Sequence, residues 1–329
     1  MKLPHIIGAD LSKKTIDFAS HELKVHTRVT NDRIGYQQLC KWLKQLHIDE
    51  SQVMIVMEHT GLYSYLFEQF LHGRHIRFTK IPGLQIKKSM GLVRGKNDKQ
   101  DAFRIARYGV EKAAQLVAVA PASQSLHRLQ LLHSARERLV RSRASMTTAL
   151  KETQQAYELK LSDPLIACQV KLIKTFDQQI KKLEEEIKSV IATEQSLCQN
   201  YQLLQSIKGV GKVLALATII KTGNFTKFST SRKFACFCGT APFENTSGTS
   251  IRGKTRVSPL ADKQLKSLLD MAAKSAIQHD EILRAYYLRR TESGKPKMNT
   301  INVVRNKIVH IMFAVIKRQT PYQPRPIAA

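Results

Sequence analysis

The chain has 329 residues, with 53 Lys and Arg against 26 Asp and Glu, a formal net charge of +27 at neutral pH. That length supports two or three domains with cores of their own, and so large an excess of one sign points to a polyanionic partner, nucleic acid before a membrane surface. No apolar run reaches the roughly 18 residues of a bilayer span, the first ten residues carry charge too early for a secretory signal, and five scattered cysteines fit a reducing cytoplasm.

Residues 3–9 are mostly apolar and end on Asp10. A turn with Lys13 and Lys14 follows, and residues 15–20 and 23–29 read as two more short strands, a spacing that predicts a three-stranded antiparallel meander. Leu39, Trp42, Leu43 and Leu46 mark an amphipathic helix. The apolar run from Val53 to Met57 has strand length and ends on Glu58; such runs suit a central strand buried on both faces. A second helix is expected over 62–71 and another strand over 76–81. Pro82 and Gly83 break the chain before a basic stretch with Lys87, Lys88, Arg94 and Lys96. From Lys96 to Arg107 the pattern is helical again. Asp98 and Asp101 stand three apart at the helix mouth, so both carboxylates share a face, with Ala102, Ile105 and Ala106 in register and Lys99, Arg104 and Arg107 around them. Strands first and then strand–helix alternation predict a mixed α/β sheet with helices on its faces over residues 1–120.

Residues 121–199 differ in kind. From Ser123 to Gln199 there is no glycine and one proline, Pro164, and apolar residues recur every three or four positions on both sides of it. This predicts a long helical hairpin or coiled coil that reverses at Pro164. Arg136, Arg138, Arg141 and Arg143 make the first arm basic, either a solvated face or a phosphate-binding one.

Residues 200–329 form the last expected domain, mainly helical. Leu203 to Ile220 resembles a helix-hairpin-helix element in which Gly209 and Gly211 allow a tight turn, and backbone N–H groups at a helix N-terminus can grip a phosphate. Residues 231–260 read as a basic, loop-rich stretch with Arg252, Lys254 and Arg256. Cys236 and Cys238, the one close cysteine pair, read as buried strand or loop residues rather than zinc ligands. Two helices are expected over 261–279 and 299–317, then a Pro-rich extended tail.

Asp10 and Glu58 end two strands that would lie side by side, and Asp98 and Asp101 sit on a helix that could cover the same edge. Four carboxylates converging in this way repel one another unless cations sit between them, and hard oxygen ligands select Mg2+ or Mn2+. Such a site suits phosphodiester substitution.

The segments around Asp10 (Ile7 to Asp17), Glu58 (Met57 to Tyr63) and Asp98–Asp101, taken in order, resemble the Asp-Glu-Asp-Asp insertion-sequence transposases. Gly239 to Pro242, Thr246 to Gly248 and Arg252 to Lys254 resemble the second motif of that family. Ala261-Asp262 and Leu265-Lys266 stand where family members often carry Gly-Asn and Leu-Arg. The resemblance implies a ribonuclease-H-like N-terminal domain similar to the junction resolvase RuvC, a helical insertion, and a C-terminal transposase domain with a serine nucleophile, here Ser247, with Ser250 next in line. It also implies a recombinase guided by a structured non-coding bridge RNA that pairs with donor and target DNA. A phosphoserine ester conserves the cleaved bond for strand exchange. Expected partners are therefore both double-stranded DNAs, the guide RNA and further copies of the chain in a dimer of dimers, with no membrane, in a bacterial cytoplasm near the nucleoid. Two other readings stay open. One is a metal-dependent Holliday-junction-type endonuclease without a covalent intermediate; the other is a non-enzymatic nucleic-acid scaffold.

Overall fold

The structure is a computed structural model and describes residues 5–59, 61–91, 97–247 and 251–324. The chain divides into two compact units, Met1–Pro121 and Ala122–Ala329.

In the first unit, five strands form one mixed sheet: β1 (His5–Leu11), β2 (Thr15–Ser20), β3 (Val25–Thr30), β4 (Val53–Glu58) and β5 (Arg77–Ile81). Their order is β3-β2-β1-β4-β5, antiparallel from β1 to β3 and parallel from β1 through β4 to β5. Four helices accompany them: α1 (Arg33–Gln45), α2 (Tyr65–Gly73), α3 (Gly83–Ser89) and α4 (Asp98–Glu111). The expected meander is present. A 3-10 turn, Gly61–Ser64, precedes α2, and α3 occupies a stretch that read only as a chain break.

Strand parity sorts the core into two layers. Ile7, Ala9 and Leu11 of β1 and Ile55 and Met57 of β4 pack with Leu39 and Leu43 of α1 and Phe67 of α2. The alternate residues, Ile6, Met54 and Val56, pack with Ile86 of α3 and Ile105 and Tyr108 of α4. Two glycines bring α4 very close to the sheet. A Cβ on Gly8 would fall on the Ala102 carbonyl oxygen and the Ala106 nitrogen, and one on Gly109 would meet methyls of Ile6 and Val56. Asn97 caps α4 by accepting a hydrogen bond from the Gln100 N–H at 2.7 Å.

Among its described residues the second unit is helical apart from one antiparallel strand pair. α5 (Gln124–Tyr157) and α6 (Pro164–Ala192) form the expected helical hairpin. Asp163 caps α6 and Pro164 occupies its first turn, where a missing N–H costs nothing. Ion pairs Arg128–Glu186, Arg136–Glu184 and Arg143–Asp177 fix the antiparallel register. Then follow α7 (Gln195–Gln205), α8 (Lys212–Thr222), α9 (Ser231–Phe237), β6 (Pro242–Ser247), β7 (Ile251–Val257), α10 (Lys263–His279), α11 (Glu281–Glu292) and α12 (Lys297–Arg318).

Residues 121–199 and 200–329, expected as separate domains, share a core. Leu126, Leu129 and Leu132 of α5 and Ile187 and Ile191 of α6 belong to the same cluster as Leu216, Leu269 and Ile308. The described residues of 231–260 hold more regular structure than the composition suggests. α9 precedes an antiparallel β6–β7 pair whose register shifts between Phe243 and Asn245. Among the described residues three helices, not two, follow it. Cys236 lies in α9 and Cys238 caps that helix, so the pair sits at a helix end; all five cysteines are free. Among the described residues no helix is long and apolar enough to cross a membrane.

Candidate active site

In the parallel β1–β4 ladder Ala9 pairs with Met57, and Asp10 and Glu58 are the next residue on each strand. Parity puts both on the α4 side of the sheet, Asp10 after Ile6 and Gly8, Glu58 after Met54 and Val56. α4 carries Asp98 and Asp101 in its first turn, where negative charge suits the helix dipole. The close approach at Gly8 sets that turn beside Asp10. The charge environment registers the convergence. Asp10's carboxyl is pushed up to about 6, first by burial and then by the negative charges of Asp101, Asp98, Asp17 and Glu58. Glu58's carboxylate rests against the bare Cα of Gly83, where a Cβ would fall on its Oε1. A Cβ at position 83 would displace that carboxylate end rather than backbone.

The fifth acid around Asp10 escaped the sequence reading. Asp17 is buried, faces Asp10 across β1–β2, and faces Arg28 across β2–β3. Its Oδ1 lies 2.7 Å from His26 Nε2, and its Oδ2 accepts from Arg28 Nε at 2.9 Å. Arg28 Nη2 also donates to Asp98 Oδ2 at 3.0 Å. Asp101 accepts from Arg104 Nη1 at 2.6 Å within its own helix. The signal lay in the register. Once β1–β3 are read as a meander, Asp10, Asp17 and Arg28 fall in one cross-strand row.

The donor set suits a hard divalent cation, because every converging group is a carboxylate oxygen and Asp10 already carries the cost of their repulsion. Spacing is a separate matter. Among the described residues no three His, Cys, Asp or Glu side chains stand in an arrangement that could hold one ion. Asp98 and Asp101 are instead engaged by arginines.

The sequence-expected nucleic-acid contacts fall in several places. Lys13 and Lys14 are exposed in the β1–β2 turn, just past Asp10, and Lys99 is exposed on the first turn of α4. Arg94 and Lys96 lie outside the described residues. Arg136 and Arg143 are committed across the helical hairpin, to Glu184 at 2.8 Å and Asp177 at 2.6 Å, while Arg138 and Arg141 are exposed. Gly209 has φ +88° and abuts Ala272 of α10, so packing demands glycine there. Gly211 caps α8 with open space around it. Ser247 ends β6 and pairs with Ile251, and Arg252 pairs with Thr246, by backbone. The side chains of Ser247, Arg252 and Lys254, and all of Ser250, lie outside the described residues, whereas Arg256 is exposed on β7. Asp262, at the departure from the family pattern, caps α10 and pairs with Lys221 at 2.8 Å.

Comparison with known proteins covers the regions that carry these residues. Residues 7–157 match a family model described as a transposase and named for the DEDD, IS110-type enzymes, and residues 201–288 match the transposase IS116/IS110/IS902 family. The chain is 27% identical over 325 residues to the pilin gene-inverting protein of Moraxella bovis, covering 97% of this chain and 98% of that protein. It is 24% identical over 356 residues to the transposase for insertion sequence element IS1111A of Coxiella burnetii, covering 98% and 92%. The four acids lie within the first matched region and Ser247 within the second. The chain belongs to the IS116/IS110/IS902 family of transposases, enzymes that recombine DNA.

Proposed function

We propose that this chain is the transposase of an insertion sequence, cutting and rejoining donor and target DNA at sites chosen by base pairing to a structured RNA from the element. The observation that carries the catalytic part is the convergence of Asp10, Glu58, Asp98 and Asp101 at one sheet edge, expressed in the raised Asp10 carboxyl. The five-stranded mixed sheet, with acids where two adjacent strands end, supports a RuvC-like, ribonuclease-H-like reading of the first unit. A Mg2+ or Mn2+ ion held by these four acids would neutralise phosphate charge and assist the attack on phosphorus. The residues themselves place anionic oxygens at a fixed edge, and Lys13, Lys14 and Lys99 line its approaches as contacts for DNA phosphates.

Ser247 is the nucleophile in this reading. Its Oγ attacks a DNA phosphorus; one P–O bond forms while the bond to the leaving strand breaks, the serine's proton ends on the leaving oxygen, and that strand departs as a free hydroxyl. A different strand's hydroxyl later attacks the phosphoserine, restoring the serine and joining the new pair of ends. One phosphodiester is exchanged for another, so no external energy source is required. Support for RNA guidance is the +27 charge and the family resemblance. Base pairing supplies sequence choice while the protein holds backbone and shape. Exchange between two duplexes favours a homo-oligomer, a dimer of dimers, working in the cytoplasm at the nucleoid.

The test is an end-labelled DNA cleavage assay with the co-purified RNA, in Mg2+, read on a denaturing gel. Wild type should give a covalent protein–DNA adduct; Asp101→Asn should bind RNA and give neither adduct nor cleavage. Clean cleavage to free ends without adduct would establish the junction-endonuclease alternative instead. RNA and DNA binding without cleavage by any version would leave only a scaffold.

A further inference from the structure

We propose that Arg28 is the built-in counter-cation of the carboxylate site, a positioning residue that holds Asp98 on its guanidinium until a divalent cation takes that carboxylate over. The inference rests on the metal-site reading above. It explains why four acids crowd Asp10 while no three of the described groups stand as a closed ion cage.

The geometry assigns the two ends of Arg28 different tasks. Its Nε is anchored on Asp17, whose side chain is only 2% exposed and is also held by His26 at 2.7 Å. The Nη2 end reaches out to Asp98, whose side chain is 59% exposed; that of Arg28 is 51% exposed. One end is thus fixed in the sheet, and the other lies where solvent, and any entering cation, can compete for its partner. A guanidinium suits this because its planar fork of donors can serve two carboxylates at once. The row Asp10, Asp17, Arg28 across three strands puts this positive charge at the edge of the acid cluster. Asp101 is restrained differently, by an i,i+3 partner on its own helix, whereas Arg28 ties Asp98 to the sheet.

The competition gives a sign that a purely structural role would not. If Arg28 merely held α4 in place, losing its outer contact would weaken cation binding. As a competitor for Asp98, it should do the reverse. Arg28→Lys is the informative variant. An ammonium can stay with buried Asp17, but its single nitrogen has no fork with which to reach Asp98 as well.

The experiment titrates Mn2+ into the full-length protein without nucleic acid, followed by calorimetry and by electron paramagnetic resonance of free Mn2+. Wild type, Arg28→Lys and Asp98→Asn are compared, with the metal-free melting temperature of each. Arg28→Lys should bind Mn2+ roughly two- to five-fold more tightly, the worth of one half-exposed ion pair, and melt at a lower temperature without metal. Asp98→Asn should bind more weakly than wild type. Tighter binding by Arg28→Lys, or binding by it alone, supports the proposal. Wild-type binding that Arg28→Lys leaves unchanged or weakens overturns the proposal while sparing the metal site. Absence of saturable binding in wild type and Arg28→Lys alike overturns both. An Arg28→Lys protein that fails to fold is replaced by Arg28→Gln, read by the same sign.

Discussion

Asp10 stands directly opposite Asp17 in the β1–β2 ladder. Like charges at facing positions of a sheet destabilise it, and here the two are separated in kind: Asp17 is ion-paired with Arg28 and hydrogen-bonded with His26, whereas Asp10's carboxyl is pushed up to about 6. A carboxyl raised from 3.8 binds its proton more tightly in the folded than in the unfolded state. Its stability contribution is therefore complete below about 4 and lost as pH rises through about 6.

Asp10→Asn should accordingly stabilise the metal-free protein at pH 8. Discounted for solvent screening at a partly exposed site, the gain is about 1–2 kcal/mol. It should shrink as pH falls from about 6 towards 4. Urea unfolding at several pH values measures it. A destabilised Asp10→Asn at pH 8 would mean that the acids do not repel as the geometry implies. The same variant should lose DNA cleavage, which separates the site's function from its stability.

The approach of α4 to β1 has an equally direct test. A Cβ at position 8 would strike the backbone of Ala102 and Ala106, and backbone cannot swing aside as a side chain can. Gly8→Ala should cost about 2–3 kcal/mol and lower the urea midpoint; a variant that still folds should cleave poorly because the α4 acids have moved off Asp10. Gly209→Ala should also destabilise, by strain at φ +88° and by contact with Ala272. Gly211→Ala meets open space but puts a poor N-cap in place of a favoured one, so it should cost about 0.5–1 kcal/mol, less than Gly209→Ala. Any loss of nucleic-acid affinity in that variant would then mark the α8 N-terminus as a phosphate contact.

These residues also separate what sequence could reveal from what it could not. Asp10, Glu58, Asp98 and Asp101 were legible because each sits at a boundary between an apolar run and a charged one, and such boundaries mark strand ends and helix starts. Asp17 was hidden inside a strand, where an acid reads as an ordinary solvent-facing residue. Only the β2–β3 register, together with α4 lying on that face, reveals it as buried and paired with Arg28. The α5–α6 hairpin was legible from its period. Its paired arginines were not, because Glu184 and Asp177 lie some 34–48 positions along the chain. α3 and α9, of seven residues each, are too short for periodicity to register, and the glycine- and serine-rich sequence between β6 and β7 makes two strands read as loop. The α8 start looked like a phosphate grip from two glycines, yet one of them is explained by packing on α10.

The basic arm of α5 can now be divided. Arg136 and Arg143 neutralise carboxylates of α6, whereas Arg138 and Arg141 are exposed. If the arm contacts duplex phosphates, replacing Arg138 and Arg141 with Gln should flatten the log–log salt dependence of DNA affinity by up to about 1.8, near 0.9 per phosphate contact. Replacing Arg136 and Arg143 should leave the slope nearly unchanged and lower the melting temperature. Fluorescence anisotropy across a salt series measures both. Equal flattening by both pairs would show that the cross-hairpin ion pairs open on binding.

Ser247 is the last residue of β6. Its backbone pairs with Ile251, so Ser247→Ala keeps the ladder and changes no charge; substitutions of this kind usually shift stability by under about 0.5 kcal/mol. The variant should therefore bind RNA and both DNAs while forming no covalent adduct and no recombinant. Ser247→Cys should retain at most a trace, since a thiolate is nucleophilic but pairs poorly with a hard divalent cation. Ser250→Ala should keep substantial activity. The measurement is a denaturing gel with end-labelled DNA, followed by mass mapping of the DNA-linked peptide. An adduct that survives Ser247→Ala and disappears in Ser250→Ala would move the nucleophile three residues along the chain. Loss of the adduct together with loss of DNA binding in Ser247→Ala would instead assign the serine to substrate binding.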